Sequence, residues 1–289
     1  MKILTAAYVL TMNVQNQCIQ NGAVLIDGDT IKAVGTLAQL SQRYPEVLIE
    51  HYPQTLLMPG LINTHCHSGF LRGTAEGLAV WDWLQQFIDP MHRVLSPEDA
   101  KIASYLCYAE ALLSGTTTIV DMWRYMDGSA EAAKDLGIRA VLVPYVAEHP
   151  DHHYFESLKS NEALIKRWHQ QANGRIQVWV GLEHLFYAEN SALKRIEKLC
   201  HDYQTGFHTH SNESQFDVQE NLRRSGMRPI ESLEKLGLLD VPKTLLAHCV
   251  WADANEIQIL KQHAVGVAHN PISNMKLVSD AAPIVEMLR

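Results

Sequence analysis

Beyond Leu57 the chain alternates short apolar runs with longer stretches of helical character. Leu61–Thr64, Thr116–Asp121, Arg139–Val146, Ile176–Glu183, Thr205–His210, Thr244–His248 and Val265–His269 have the length of strands. Thr116–Asp121 is dense in β-branched residues, which favour strands. Helices are expected between them at Pro97–Leu113, Ala130–Leu136, Leu158–Trp168, Ala192–His201, Pro229–Leu236 and Ala254–Gln262. Ser96 is an N-cap followed by Pro97 at the first helical position, with Glu98 and Asp99 in the first turn and Gly115 as the stop. Gly137 closes the second helix, and Asp253 and Glu256 stand at capping-box spacing before the last. Such crossovers return the chain to the same end, so the strands pair in parallel. Thr117–Val120 and Val178–Val180 are apolar without alternation, as strands buried on both faces are. An α/β fold follows, a (β/α)8 TIM-like barrel, with a doubly wound sheet as the other arrangement. No Gly-rich phosphate loop follows a strand, which counts against dinucleotide binding.

Residues 1–57 show no helical period. Gly22–Ile26 and Thr30–Val34 flank Asp27-Gly28-Asp29, a short-hairpin signal. This segment is expected to be a small N-terminal β-sandwich lobe, partial by itself, beside a barrel of residues 58–289.

Composition narrows the function. The formal charge of −8 argues against nucleic acid or an anionic membrane as the main partner. No run is long enough for a membrane helix, and the start Met1-Lys2-Ile3-Leu4 lacks the cleavage site of a signal peptide. Cys18, Cys66, Cys107, Cys200 and Cys249 show no paired spacing, as expected of reduced thiols in a cytoplasmic protein. A homodimer is compatible with these features and required by none of them.

Candidate chemistry gathers at strand ends. A Pro59-Gly60 turn launches the first strand, and His65 and His67 stand two apart at its end, on the same side of an extended chain. Later strands end in Asp121, Glu183 and His184, His208 and His210, His248, and His269 with Asn270. In a parallel barrel those ends open on one face, where active sites sit. A metal-centred site is expected there.

On these residues the sequence resembles the amidohydrolase superfamily, in its branch of chlorohydrolases and hydrolytic deaminases of nitrogen heterocycles. The likeness rests on Pro59-Gly60 with His65-Cys66-His67, then Leu71-Arg72-Gly73-Thr74-Ala75-Glu76 and Gly115-Thr116-Thr117-Thr118. It continues through His210-Ser211-Asn212-Glu213, Ala247-His248-Cys249 and His269-Asn270-Pro271-Ile272-Ser273-Asn274. The resemblance implies one divalent metal, zinc or iron, bound by His65, His67 and His210 as neutral imidazoles with a coordination position left open for water. His208 lies deeper in its strand and should pack beneath His210. Glu213 would be the proton shuttle, and His248 would donate to the metal-bound water. His184, Asn270 and Trp81 are expected to contact substrate, whereas Trp83 is expected in the core. The bridging lysine of the binuclear branch is missing, which favours one metal, although Glu183 could bridge.

The resemblance implies hydrolytic deamination or dechlorination of a triazine, pyrimidine or purine. The alternatives are a catalytically incomplete barrel that binds a small molecule or a partner, and a binuclear cyclic-amide hydrolase. His92 stands where nucleoside-deaminating relatives have a carboxylate, and Pro144-Tyr145-Val146 and His152-His153 lie where they have arginines. A free heterocycle is therefore expected in preference to a nucleoside. The family's eighth strand carries an Asp that completes the site, whereas this chain stops at Met287-Leu288-Arg289, and neither Asp280 nor Glu286 is placed to substitute. The barrel is thus expected to be incomplete at its C-terminus, and inactive without that strand.

Overall fold

The structure is a computed structural model that describes residues 1–69 and 73–289. Leu71 and Arg72, part of the motif quoted above, lie outside the described residues. Two compact units, Met1–Leu61 and Ile62–Arg289, divide the chain.

The first unit is built from β1 (Lys2–Leu10), β2 (Cys18–Asp27), β3 (Thr30–Thr36), α1 (Leu37–Arg43) and β4 (Leu48–Leu57). Gly28 takes a left-handed φ of 61° in the tight turn between β2 and β3, as the hairpin signal anticipated. The strands form one mixed sheet, ordered β3-β2-β1-β4, in which β1 runs parallel to β4 and antiparallel to β2. This corrects two expectations. There is a single sheet in place of a sandwich, and its core of Ile3, Ala23 and Leu25 is covered by Leu40 of a helix that residues 1–57 were not expected to contain. A capping box starts that helix: Thr36 accepts from the Gln39 amide while Gln39 accepts from the Thr36 amide.

The second unit alternates strand and helix. It contains β5 (Leu61–Cys66), then α2 (Val80–Trp83), a π turn at Leu84–Ile88 and α3 (Asp89–Val94). Next come α4 (Pro97–Leu113), β6 (Thr116–Trp123), α5 (Met126–Leu136), β7 (Arg139–Pro144), α6 (Leu158–Trp168), β8 (Ile176–Val178) and β9 (Val180–Leu182). α7 (Asn190–Asp202), β10 (Gly206–Ser211), α8 (Gln215–Ser225), α9 (Pro229–Lys235), β11 (Lys243–His248), α10 (Ala254–Gln262), β12 (Gly266–Ala268), α11 (Pro271–Lys276) and α12 (Ile284–Met287) follow. The pairings β6/β7, β7/β8, β9/β10, β10/β11 and β11/β12 are all parallel.

The fourth strand of the expected barrel is broken at Trp179. The described strands of this unit therefore form two four-stranded sheets, β5-β6-β7-β8 and β9-β10-β11-β12. Gly181 explains the break. Its amide donates to Asn161 Oδ1 at 3.0 Å, and a Cβ there would lie 2.0 Å from the Pro144 carbonyl oxygen. Only glycine lets the two backbones approach so closely. Among the described residues no helix is long and apolar enough to cross a membrane.

Candidate active site

Five histidines from three strand ends converge, and each has a partner that settles which ring nitrogen bears the proton. His67 Nδ1 lies 2.7 Å from the Met122 carbonyl, His210 Nδ1 2.9 Å from that of Glu183, and His208 Nδ1 2.8 Å from that of Leu245. A carbonyl only accepts, so these Nδ1 atoms are protonated and each Nε2 offers a lone pair. His208 Nε2 is 2.9 Å from His65 Nδ1, so it accepts from His65 and leaves His65 Nε2 bare. His208, expected beneath His210, thus supports His65 instead. His248 Nδ1 donates to Asn274 Oδ1 at 2.8 Å, which bares its Nε2 too. Burial holds His208 and His248 neutral, with pKa values lowered to about 4, and drives His65 and His210 well below the usual histidine range.

The donor set fits a divalent metal. The bare Nε2 atoms of His67 and His210 face each other at 3.2 Å. Two lone pairs at that separation repel unless a cation lies between them. Two nitrogens bound tetrahedrally to zinc, each at about 2.0–2.1 Å, would be about 3.3 Å apart. Ligand atoms of His65, His210 and His248 also lie within 4.8 Å of one another. His248, expected only as a hydrogen-bond donor, is therefore brought as close as a ligand.

Glu213 follows β10 and is buried. Its carboxyl is pushed up to about 8, first by burial and then by the charge of Asp217, so it carries a proton near neutral pH. Glu213 Oε1 lies 3.6 Å from His248 Nδ1. The backbone here is unusual: Asn212, His248 and Cys249 have φ of 51°, 72° and 48°, left-handed without being glycine. The Cys249 amide donates to the Ser211 carbonyl at 3.0 Å and the Trp251 amide to that of Asn212 at 2.8 Å, which locks both strand ends. Strain of this kind collects where side chains must be aimed.

A cavity of about 210 Å³ opens beside the histidines, lined by His65, His67, His210, His248, Glu183, Glu213 and Asn270. Trp83, His92, Trp123 and Tyr145 also form part of its wall. Four expectations need correction here. Trp81 does not line the cavity: its Nε1 donates to Ser214 Oγ at 3.0 Å and its ring packs 4.7 Å from Phe216. Trp83, expected in the core, lines it instead. His184 is behind the wall, its Nδ1 donating to Glu183 Oε2 at 2.5 Å and its Nε2 3.6 Å from Asp217. Burial alone would lower the His184 pKa, but Glu183 and Asp217 together raise it well above the ordinary value and hold an imidazolium there. His269, expected at the same mouth, is exposed and does not line this cavity.

The wall residues His92 and Trp123 were not anticipated as site residues. Among the described residues, both His92 ring nitrogens, Trp123 Nε1 and Asn270 Nδ2 are buried without a hydrogen-bond partner. Burial pushes the His92 pKa down to about 3, so its ring is neutral and can both donate and accept. Four such unsatisfied atoms among the cavity-lining residues suit a ligand rich in nitrogen and oxygen.

Parallel strands, helical crossovers and histidines gathered at the strand ends define the class, an α/β fold with a histidine-rich site at its strand ends. The chain belongs to the amidohydrolase family, whose model matches residues 56–289. Residues 22–46 match an imidazolonepropionase-like composite domain of bacteria. A 5-methylthioadenosine/S-adenosylhomocysteine deaminase of Thermoanaerobacter pseudethanolicus is 35% identical over 287 residues, 97% of this chain and 65% of that protein. Among solved structures, an adenosine deaminase from Xanthomonas campestris with bound zinc superposes with a TM-score of 0.86 at 25% identity, covering 99% of this chain and 66% of that one. A zinc complex of atrazine chlorohydrolase from Arthrobacter aurescens gives 0.88 at 25% identity, covering 100% and 69%. The chain thus spans about two thirds of the length of these relatives.

Proposed function

We propose that this protein takes part in hydrolytic deamination of an adenine nucleoside, with 5-methylthioadenosine and S-adenosylhomocysteine as the substrates to test first. The observation that carries this reading is Glu213, protonated near neutral pH on the cavity that the bare histidine nitrogens face. His65, His67 and His210 would hold zinc, with His248 within reach of the same centre. Zinc, when bound, supplies Lewis acidity that lowers the pKa of a water toward neutrality. Glu213 donates its proton to the ring nitrogen as water adds to the neighbouring carbon. One water proton restores Glu213, and the other passes to the amino group, which leaves as ammonia while the carbonyl forms. His248, fixed by Asn274, faces the developing tetrahedral carbon. His92, Trp123 and Asn270 meet the polar edge of the purine and its substituent.

The substrate expectation drawn from the sequence changes accordingly. His92 was weighed against a nucleoside because it is no carboxylate. A neutral imidazole with both nitrogens unpaired on the cavity wall can accept from a sugar hydroxyl as a carboxylate can. That position therefore gives no ground for excluding a ribose.

Zinc-supplemented protein offered adenosine, 5-methylthioadenosine, S-adenosylhomocysteine, guanine, cytosine and atrazine would decide between the substrates. Ammonia release should be fastest from an adenine nucleoside. Faster turnover of a free base, or chloride release from atrazine in its place, would overturn the reading.

A further inference from the structure

We propose that Asp121 is a positioning residue for the metal centre, gripping the β5 end from which His65 and His67 project. The inference rests on the reading of those histidines as metal ligands. Asp121 lies on β6 and is fully buried. Its carboxylate accepts the Ser68 amide at 3.0 Å and the Ser68 hydroxyl at 2.7 Å, and Cys66 Sγ approaches Oδ1 at 3.8 Å. Cys66 and Ser68 are the two residues that flank His67. The next residue on β6, Met122, takes the His67 Nδ1 proton on its carbonyl. Two adjacent residues of β6 therefore hold three consecutive residues of the metal arm, the backbone by a carboxylate and the imidazole by a carbonyl.

The far side of the carboxylate is fixed as well. Tyr108 of α4 donates to Asp121 Oδ2 at 2.7 Å. Ser68 Oγ also meets Ser104 Oγ at 3.1 Å, and Ser104 meets Ser129 at 2.8 Å, so the grip is tied into α4 and α5. An acceptor-only carboxylate surrounded by donors can turn only by breaking several bonds at once. This rigidity matters at His67, whose Nε2 must stay 3.2 Å from that of His210 for both to reach one ion.

Asp121→Asn keeps the shape but loses the charge and half of the acceptor capacity, and Asp121→Ala removes both. Tyr108→Phe is the control, because it removes a buried donor to the same carboxylate and leaves Cys66 and Ser68 bonded. Zinc affinity is read by competition with a chromophoric chelator, and thermal stability is read alongside it. Asp121→Asn should weaken zinc binding about 10- to 100-fold, while Tyr108→Phe shifts it by no more than about threefold at a comparable loss of stability. Equal zinc affinity in Asp121→Asn and the parent overturns the proposal, and so does an equal weakening in Tyr108→Phe. Failure of the parent itself to bind zinc falls instead on the metal reading, and is seen before any variant is compared.

Discussion

Glu213 and Asp217 are four residues apart, both buried, and their acidities are driven in opposite directions. The His184 imidazolium lowers the Glu213 pKa, but burial and the charge of Asp217 outweigh it and bring the pKa to about 8. Burial pushes Asp217 up as well, but the His184 imidazolium and the Ser214 amide pull it below the usual carboxylate range. Such divergence marks which carboxyl can serve as the acid. Glu213→Gln should therefore retain zinc and lose turnover by about a hundredfold or more. If the protonated form is the active one, the parent's rate should fall as pH rises through about 8, a limb missing from the residual rate of Glu213→Gln. A rate that is flat to pH 10 would remove Glu213 from the role. At this scale the sequence was informative where strand ends carry the chemistry: His65, His67, His210, Glu213 and His248 all reach one cavity. It was uninformative about helices. Trp81 and Trp83, about 200° apart on a helical wheel, point to different sides, and only packing against Phe216 or the cavity decides which is which. His92 and Trp123 have no motif to announce them, since a lone buried ring looks like core until its nitrogens are seen unpaired.

Elements with local start signals were legible nearly to the residue. α4 begins after the Ser96 cap, and α10 begins after the Asp253–Glu256 box, as expected. α1 and α8 escaped notice because each buries few residues; their caps at Thr36 and Ser214 were the signals available. The break in the fourth strand could not be read locally, because Asn161 of α6 and the Pro144 carbonyl impose it from a distance. Gly181→Ala tests that constraint. A Cβ 2.0 Å from a backbone oxygen forces the backbones apart, at about 3 kcal/mol, the upper end of overpacking costs. Urea unfolding should show a lower midpoint at unchanged slope; a loss below about 0.5 kcal/mol would mean that β7 and β9 can separate freely. A second test lies at the end of α10. His263 Nδ1 meets Asp240 at 2.7 Å and Nε2 meets Glu234 at 3.2 Å. The Asp240 hydrogen bond, with help from Glu234, raises the His263 pKa. Its contribution is thus complete below the unfolded value of about 6.5 and is lost as pH rises through the folded one. His263→Gln should be less stable than the parent at pH 5.5 by under about 1 kcal/mol, since the partners are solvent-exposed, and equal to it at pH 9. A deficit that persists at pH 9 would assign the effect to packing.

For the whole molecule, stability and metal occupancy should be one measurement. The unpaired lone pairs of His65, His67, His210 and His248 converge in the folded chain and are dispersed in the unfolded one, so zinc binds the native state preferentially. Free zinc at a hundred times its dissociation constant should add about 2.7 kcal/mol, visible as a rise in Tm that a chelator reverses. The number of ions bears on the binuclear alternative. Besides Glu183 with His184 and His210, a cluster of His184 with Glu213 and Asp217 also brings its ligand atoms within 4.8 Å. Its chemistry differs from that of the first site, at His65, His67 and His210. His184 is held as an imidazolium between Glu183 and Asp217, so its proton already supplies the positive charge that a second ion would bring. Binding there would have to expel that proton and also the one on Glu213, at a cost the first site does not incur. Titration near pH 7 should therefore saturate at one zinc per chain, and the gain in Tm should level off at that ratio. His184→Gln tests the same point from the other side, because removing the imidazolium leaves the Glu183 and Asp217 carboxylates without their cation. That variant should be destabilised by several kcal/mol and should still take up one zinc. Two ions in the parent that fall to one in His184→Gln would place the second metal at His184 and make the centre binuclear.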